Sequence, residues 1–394
     1  TGQNWGWVTA KHDLTGLGGE PEVRFRIVFG SNSIENMYDG FAFDDIQIYE
    51  KPASDVGVTG WLSPVSGCGH TAADSVTIVV TNFGTQPTND TIPVGYSLDS
   101  GLTVTVDTIF GIIPVGGDTI FTFSVPYDLS APGIYYGGAA TLLEGDGDND
   151  NDTLFVEINV IPEISSFPYY EDFESGEGFW ESGGINSMWE FGTPASVIIN
   201  SAASGDSAWT TSLDSIYNNN ENSYVESPCF DFSTLTNPVF QFSIWSDAED
   251  SQDGAALQYS TDGGASWFHI GAYLDPDNWY NDNTILGLDF SGNQDGWTAQ
   301  TGSWVTAKHD ISGLGGEPGV RFRIVFGSNG SENLYDGFAF DDINIYEAIT
   351  DISIIIPPSG DIYGCDFTAT DTVMILIENV GEVTIPANDT IFLF

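Results

Sequence analysis

Two adjacent aspartates inside a strand-like phrase, "DGFAFDDINIYE", are the side chains best suited to chemistry. Phe338 and Phe340 share one face by the period of two, whereas Ile343 and Ile345 have the opposite parity. An alternation that slips at Asp341–Asp342 predicts a β-bulge at this pair. Two carboxylates at a bulge can turn inward as hard oxygen ligands, which suits structural Ca2+.

Further acidic residues belong to the same hypothesis. If the first and last strands of the domain lie side by side, the acids of "YYEDFE" come close to this pair; they are Glu171, Asp172 and Glu174. The alternative is a solvated acidic edge, or an ion pair with Arg321 or Arg323. Asp44 and Asp45 occupy the corresponding positions in an earlier copy of the phrase and are the equivalent metal candidates.

The earlier copy is part of a long internal repeat. Residues 7–50 and 304–347 match without a gap at a spacing of 297 residues, and Cys68 and Cys365 have the same spacing. Such a period is too long for a solenoid and fits a unit of two domains. We therefore predict four parts of a tandem array, of which the first and last are incomplete: 1–50, 53–162, 165–348 and 350–394.

Strand signals dominate the elements that must position these residues. "VTIVV", "TIFTFSV", "TLFVEINV" and "VFQFSIW" cluster β-formers between Gly, Pro, Asn and Asp turns, and no convincing amphipathic helix appears. The spacing in 53–162 is typical of an immunoglobulin-like sandwich, and 165–348 reads as a larger one. The predicted fold class is all-β, with tandem β-sandwiches of two alternating types.

The charge excludes some partners. The chain of 394 residues carries a formal charge of −50, and residues 52–307 contain neither Lys nor Arg. Such a surface repels nucleic acid and anionic membranes, so we expect no nucleic-acid partner. The sequence contains no run of about 18 apolar residues, so we also expect no direct membrane insertion.

The three cysteines, Cys68, Cys229 and Cys365, fall in different predicted domains. We expect three buried free thiols, with an interdomain or interchain bridge as the alternative.

Four phrases in order resemble a known family of domains. "YYEDFESGEGFW", "SYVESPCFDFSTLTNPVFQFSIW", "DGAALQYSTDGGASW" and "GFAFDDINIYE" are similar to MAM-like jelly-roll domains of giant adhesins that gliding bacteria export by the type IX pathway. Residues 53–162 resemble the immunoglobulin-like CARDB family. The resemblance implies a secreted cell-surface or filament protein and, near the chain ends of the jelly roll, a structural metal.

Three further motifs have a structural and a functional interpretation. "STDGGASW" fits the Asp box of sialidases but is expected to be a hairpin turn. "EGDGDNDNDTLFVE" nearly matches an EF-hand loop, yet lacks its glycine and flanking helices, so a polar hairpin loop is expected, with loose cation binding as the alternative. Asp-(Ser/Thr)-apolar triplets either open strands or serve as O-glycosylation sites; the candidate residues are Ser75, Thr91, Thr108, Thr119, Thr153, Ser207, Ser215, Thr372 and Thr390.

Together these features predict a non-catalytic, calcium-stabilised segment of an extracellular, cell-surface adhesin or filament. The expected partners are further copies of the chain, as a homo-oligomer or filament, and cell-surface or glycan ligands. The alternative is an array of carbohydrate-binding modules attached to an extracellular hydrolase. A groove lined by exposed tryptophans, for instance Trp279 beside Tyr280, would favour that alternative.

Overall fold

The computed structural model describes residues 7–31, 40–331, 334–349, 352–355, 376–379 and 381. The chain divides into two units, Thr1–Lys51 and Pro52–Phe394. The described residues of the first unit contain one 3-10 turn, Thr15–Leu17, and no strand. Within this unit the Lys51 ammonium lies 2.7 Å from the Asp13 carboxylate.

The second unit begins with a sandwich of seven antiparallel strands. They are β1 (Val56–Ser63), β2 (Thr77–Asn82), β3 (Thr91–Ser97), β4 (Thr105–Phe110), β5 (Asp118–Thr122), β6 (Gly133–Thr141) and β7 (Thr153–Val160). One sheet has the order β1–β2–β5 and the other the order β4–β3–β6–β7. Ile78 and Val80 alternate with less buried threonine and valine along β2, as expected for a strand with one face on the core.

A larger sandwich follows. Its strands are β8 (Glu163–Ile164), β9 (Tyr169–Glu171), β10 (Glu181–Ile185), β11 (Glu190–Gly192), β12 (Ala208–Thr210), β13 (Asn222–Phe230), β14 (Pro238–Asp247), β15 (Gly254–Ser260), β16 (Phe268–His269), β17 (Val305–Asp310), β18 (Val320–Gly327) and β19 (Gly337–Glu347). One sheet runs β10–β13–β18–β15–β16, with β8 beside β13. The other runs β11–β12–β19–β14–β17, with β9 beside β19.

Short 3-10 turns at Leu286–Ser291 and Ser312–Leu314 interrupt the loops of the larger sandwich. Beyond it, β20 (Ile352–Ile355) pairs with β21 (Leu376–Asn379). The prediction of an all-β chain is confirmed. In the part of the chain that the structure describes, no helix has the length and apolar character needed to cross a membrane.

Aromatic rings fill the centre of the larger sandwich. The Phe340 ring lies with its centroid 5.6 Å from Trp180, 5.7 Å from Phe173 and 5.7 Å from Trp189, and it stacks on Trp209 at 6.4 Å. Burying each such ring stabilises the fold by roughly 1.5–3 kcal/mol relative to exposure. The last strand is therefore held in place mainly by its aromatic face.

The predicted bulge lies where the alternation slips. β19 pairs with β14 as Asn344 opposite Gln241 and Asp341 opposite Ser243, so two residues of β19 face one residue of β14 between these pairs. Asp342 has φ 50°, in the left-handed region that an aspartate tolerates better than most residues. The bulge prediction is confirmed.

The expectation of three free thiols is wrong. Cys68 and Cys229 form a disulfide across 161 residues, with their Cα atoms 6.0 Å apart. The bridge joins the loop after β1 of the first sandwich to the end of β13 in the second, which is the interdomain alternative. Cys365 lies outside the described residues.

Candidate functional site

The predicted first and last strands of the larger sandwich are neighbours. β9 pairs with β19 as Glu171 opposite Ile343 and Tyr170 opposite Asn344. This pairing places the acids of the first strand beside the bulge. We call Glu171, Asp172, Glu174, Asp341 and Asp342 the carboxylate cluster.

Asp341 is the buried member of the cluster and has no exposed surface. Its Oδ2 accepts backbone N–H bonds from Ala203 (2.9 Å) and Ser204 (3.2 Å), and its Oδ1 accepts one from Asp342 (2.7 Å). Burial raises the pKa of Asp341 to about 7, and these bonds only partly offset that rise. A carboxylate in this state is costly to ionise unless a cation compensates its charge.

Asp342 binds hydroxyl groups. Its Oδ1 accepts the hydroxyl protons of Tyr170 and Ser204, each at 2.7 Å, and its Oδ2 lies 3.3 Å from the Ser243 hydroxyl. The bond to Asp342, with partial burial, raises the pKa of Tyr170 to about 12. Asp342 thereby ties β9, β14 and the loop that carries Ser204 to the bulge.

Glu174 also binds the loop that carries Ser204. Its Oε1 accepts the backbone N–H groups of Asp206 (2.9 Å) and Ser207 (2.8 Å). Gly205 has φ 55°, and a Cβ added there would collide with the Glu174 carboxylate. We call residues 203–207 the anchored loop, because three carboxylates hold its amides and hydroxyl group.

The other two members of the cluster serve their own turns. Glu171 accepts the N–H of Phe173 at 2.9 Å, and Asp172 accepts that of Glu174 at 3.2 Å. Burial raises the pKa of Glu171. These two acids are therefore adjacent to the bulge in the sheet, but these bonds stay within their own turn and do not reach the anchored loop.

The cluster supplies oxygen atoms, which are the donors that calcium prefers. However, the described residues contain no group of three acidic, His or Cys side chains that could hold a metal ion together. The carboxylate oxygens turn towards N–H and O–H donors, so the protein itself satisfies much of the cluster. The chemistry of the donors fits calcium, whereas the converging arrangement that we expected is absent from this part of the chain.

The equivalent pair in the first unit keeps only the local geometry. Asp45 has φ 53°, and its N–H donates to Asp44 Oδ1 at 2.9 Å. Both residues are exposed. They have no buried surroundings comparable to those of Asp341, and so they do not form a matching site within the described residues.

Arginine does not neutralise the cluster. Arg321 and Arg323 lie in β18 of the opposite sheet, where they approach Glu226 at 3.1 and 3.9 Å. Both guanidinium groups also cover the Trp267 ring, at 5.9 and 4.4 Å from its centroid. The alternative of an ion pair between Asp341 or Asp342 and these arginines is therefore wrong.

The Asp-box phrase forms a hairpin turn between β15 and β16. Asp262 accepts bonds from the Ser260 hydroxyl (2.7 Å) and the Ser266 N–H (2.8 Å), while Gly263 and Gly264 have positive φ. The near EF-hand phrase is likewise the loop of the β6–β7 hairpin, in which Asp146 accepts the Val56 N–H at 2.8 Å. Both motifs therefore have structural roles.

The triplet sites differ in exposure. Ser75, Thr91, Thr153 and Ser215 are exposed, whereas Thr108, Thr119 and Ser207 are half-buried. Thr372 and Thr390 lie outside the described residues.

Sequence reasoning missed a concave surface on the first sandwich. We call it the apolar trough; its cavity of about 460 Å³ lies over β3 and β6. Its small residues are Gly95, Gly137, Gly138 and Ala140, and its large ones are Val104, Tyr136, Leu142 and Phe155. A Cβ at Gly95 would lie 3.2 Å from Val104, so a larger residue there would crowd the trough. The Phe155 side chain is 81% exposed.

The groove suggested by tryptophan content does not exist where we placed it. Trp279 and Tyr280 are 3% and 1% exposed and pack on Trp297 in the core of the larger sandwich. The trough could have been noticed from "YYGGAA", where small residues directly follow two tyrosines in a strand pattern.

Comparison with known proteins gives distant similarities. No family model matches the chain. Bacillopeptidase F of Bacillus subtilis (strain 168) is 26% identical over 188 residues, which are 48% of this chain and 11% of that protein. The chain therefore spans a small part of this curated relative.

Three solved structures are similar to parts of the chain. The K1 cleaved adhesin domain of Lys-gingipain from Porphyromonas gingivalis W83 is 14% identical and covers 46% of this chain and 99% of its own, with a TM-score of 0.28. A CARDB domain from Pyrococcus furiosus, in complex with di-metal ions, is 16% identical over 31% of this chain and 100% of its own, with a TM-score of 0.22. A carbohydrate-binding module of the β-sandwich superfamily is 12% identical and covers 76% of this chain and 100% of its own, with a TM-score of 0.29. These TM-scores are below 0.5, so the similarities carry no argument about ligands.

Proposed function

We propose that this chain is a non-catalytic segment of a secreted, cell-surface adhesin or extracellular filament that attaches cells to surfaces or to one another. The observation that carries the proposal is the return of residues 7–50 as residues 304–347 after 297 positions, which fits a repeated two-domain unit. Duplication of a complete unit adds length and multiple attachment points, and multivalency raises avidity without any new contact. The four-part division of the chain belongs to the same proposal.

The Cys68–Cys229 disulfide supports the extracellular location, because such bridges persist in oxidising compartments. Export by the type IX pathway is supported by the resemblance of the sequence phrases to adhesins of gliding bacteria. The acidic surface limits contact between copies at low salt, so association into a filament would be strongest where cations screen the charge.

Small-angle scattering of the full chain tests the extended architecture. A single compact globule of this length would have a radius of gyration of about 21 Å. An array of sandwiches in line should give a radius of gyration clearly above this value, and the particle should lengthen further if chains associate. A value near 21 Å at every protein concentration would contradict the proposal.

We also propose that calcium stabilises the larger sandwich at the carboxylate cluster. The support is chemical: Asp341 is fully buried with a raised pKa, and the cluster's carboxylates are the oxygen ligands that calcium prefers. Bound calcium would compensate the buried charge and hold the anchored loop. Occupancy at a hundredfold excess over Kd would stabilise the fold by about 2.7 kcal/mol.

A glycan-binding module is the second candidate function, and the apolar trough favours it. Tyr136 and Phe155 present exposed rings beside a cavity of about 460 Å³, a size typical of ligand sites. The charge of −50 makes a neutral glycan the fitting ligand. Titration of the full chain with neutral oligosaccharides should show binding that Phe155→Ala abolishes. Phe110→Ala, which removes another exposed ring of the same sheet outside the trough, is the control.

Glycosylation at the exposed triplets remains part of the proposal. Peptide mapping of protein from its own host should find added mass first at Thr91 and Thr153, which are exposed and open β3 and β7. If the peptides that contain both residues carry no added mass, the triplets only start strands and are not glycosylation sites.

A further inference from the structure

The Cys68–Cys229 disulfide bypasses a large part of the chain. Cys68 lies in the loop after β1 of the first sandwich, and Cys229 lies at the end of β13 in the second. The 160 residues between them include β2–β7 of the first sandwich and β8–β12 of the second. The path through the sulfur atoms is therefore very short, whereas the path along the backbone is long.

Backbone pairing fixes the same joint from both sides. Gly67, next to Cys68, donates its N–H to Asn159 O at 3.0 Å and accepts the N–H of Ile161 at 3.0 Å. On the other side of the joint, Cys229 donates its N–H to Pro162 O at 3.0 Å. The connecting segment thus pairs with the loop that carries Cys68 and with the strand that carries Cys229, and the disulfide joins these two sides.

Cys229 is fully buried, whereas Cys68 is half-buried, so the fold shields the Cys229 side of the bridge. The neighbouring pair of β8 with β13 is parallel, with Glu163 opposite Cys229 and Ile164 opposite Phe230. Exposing the Cys229 sulfur would require this part of the joint to open.

We propose that this disulfide is a tension-bearing link that protects the residues between Cys68 and Cys229 from mechanical extension. When the chain is pulled from its two ends, force enters through β1, crosses the sulfur–sulfur bond and leaves along the chain that follows Cys229, towards β14. The bypassed residues carry no load, even if β1 is pulled away from β2. This function goes beyond the proposed attachment role and does not depend on what the protein binds.

The length of chain that the disulfide keeps from extending is large. A stretched chain spans about 3.3–3.6 Å per residue, so the separation of 161 residues corresponds to about 55 nm. Each oxidised molecule should therefore reach a final extension about 55 nm shorter than the same molecule after reduction.

Single-molecule pulling of the full chain, tethered at its two ends, tests the proposal. The oxidised protein should show the shorter final extension, and dithiothreitol should restore the missing length of about 55 nm. A C68S/C229S variant should show the full length without reductant. Because the final extension of an unfolded chain does not depend on how well it folded, this variant is informative even if it is destabilised.

C365S is the matched control, since it removes a cysteine that the bridge does not use; it should behave as the original chain does. Equal final extensions before and after reduction would overturn the proposal, as would a long extension of oxidised C365S. Scattering data showing a compact particle would count against the proposed filament role but would leave this result unaffected.

Discussion

Residues 304–347 form β17, β18 and β19 of the larger sandwich, whereas the nearly identical residues 7–50 form no strand in the part that the structure describes. The two copies also differ in burial. Phe340 has no exposed surface, and its equivalent Phe43 is 55% exposed. Because the two sequences are almost the same, the difference must come from the partners that surround them.

Some features survive in both copies. The 3-10 turn Thr15–Leu17 corresponds to Ser312–Leu314, and the left-handed φ of Asp45 corresponds to that of Asp342. These features depend only on residues that are adjacent in the sequence, because both the turn and the bond from an Asp side chain to the next N–H form within a few residues. A strand needs at least one neighbouring strand to bond with, and β19 lies between two, β12 and β14. The comparison separates what a short sequence specifies from what a complete sandwich adds.

Removing one ring should give the largest difference between the copies. Phe340→Ala deletes a side chain packed among Phe173, Trp180 and Trp189, and we expect a loss of about 3–5 kcal/mol in the free energy of unfolding. Phe43→Ala should change it by less than about 0.5 kcal/mol, because that ring is largely exposed. Urea titration followed by tryptophan fluorescence measures both. Equal losses would mean that the first copy is packed like the second.

Asp341 should give an intermediate effect that depends on pH. Burial raises its pKa in the folded protein to about 7, while the unfolded chain releases the proton near pH 4. Between these two pKa values the folded state binds more protons than the unfolded state. The contribution of Asp341 to the free energy of unfolding is therefore greatest below about pH 4 and is lost as the pH rises to about 7. Asp341→Asn should remove this decline, which has a maximal slope of about 1.4 kcal/mol per pH unit.

Burial also raises the pKa of Glu221 to about 7, so this second group adds its own pH dependence to the unaltered chain. The quantity to measure is therefore the difference in the free energy of unfolding between Asp341→Asn and the unaltered chain from pH 4 to 8. Asp44→Asn is the matched control and should leave the slope unchanged. Identical slopes in all three proteins would show that Asp341 ionises freely in the fold. Added calcium should flatten the decline in the unaltered chain, since a cation at the cluster competes with the proton.

The smallest effect is expected for Asp342→Asn in chelator. Asparagine tolerates a left-handed φ and still accepts hydrogen bonds, so the loss should be below about 0.5 kcal/mol without calcium. With millimolar calcium the unaltered chain should gain several degrees in Tm, and Asp342→Asn should lose most of that gain. Asp45→Asn should retain it. If neither calcium nor chelator changes the Tm of the unaltered chain, the proposal that calcium stabilises the larger sandwich is wrong.

The fold class, the bulge at Asp341–Asp342 and the pairing of β9 with β19 could be predicted, because period-two patterning and sandwich topology determine them. The disulfide could not, since its partners are 161 residues apart in different sandwiches. The anchored loop was missed for a similar reason. Ala203 and Ser204 meet Asp341 across about 138 positions, and their types carry no sign of that contact.

The distribution of cations has a consequence for degradation. Lys51 precedes β1, and Lys308 lies within β17, with no lysine or arginine between them. A protease that cleaves after Lys or Arg therefore finds no peptide bond to hydrolyse from residue 52 to residue 307, whether the chain is folded or not. The whole first sandwich and β8–β16 of the second would be released by such an enzyme as one uncut fragment. In the extracellular location proposed above, this composition would protect the peptide bonds of residues 52–307 from one broad class of secreted enzymes without requiring any stability of the fold.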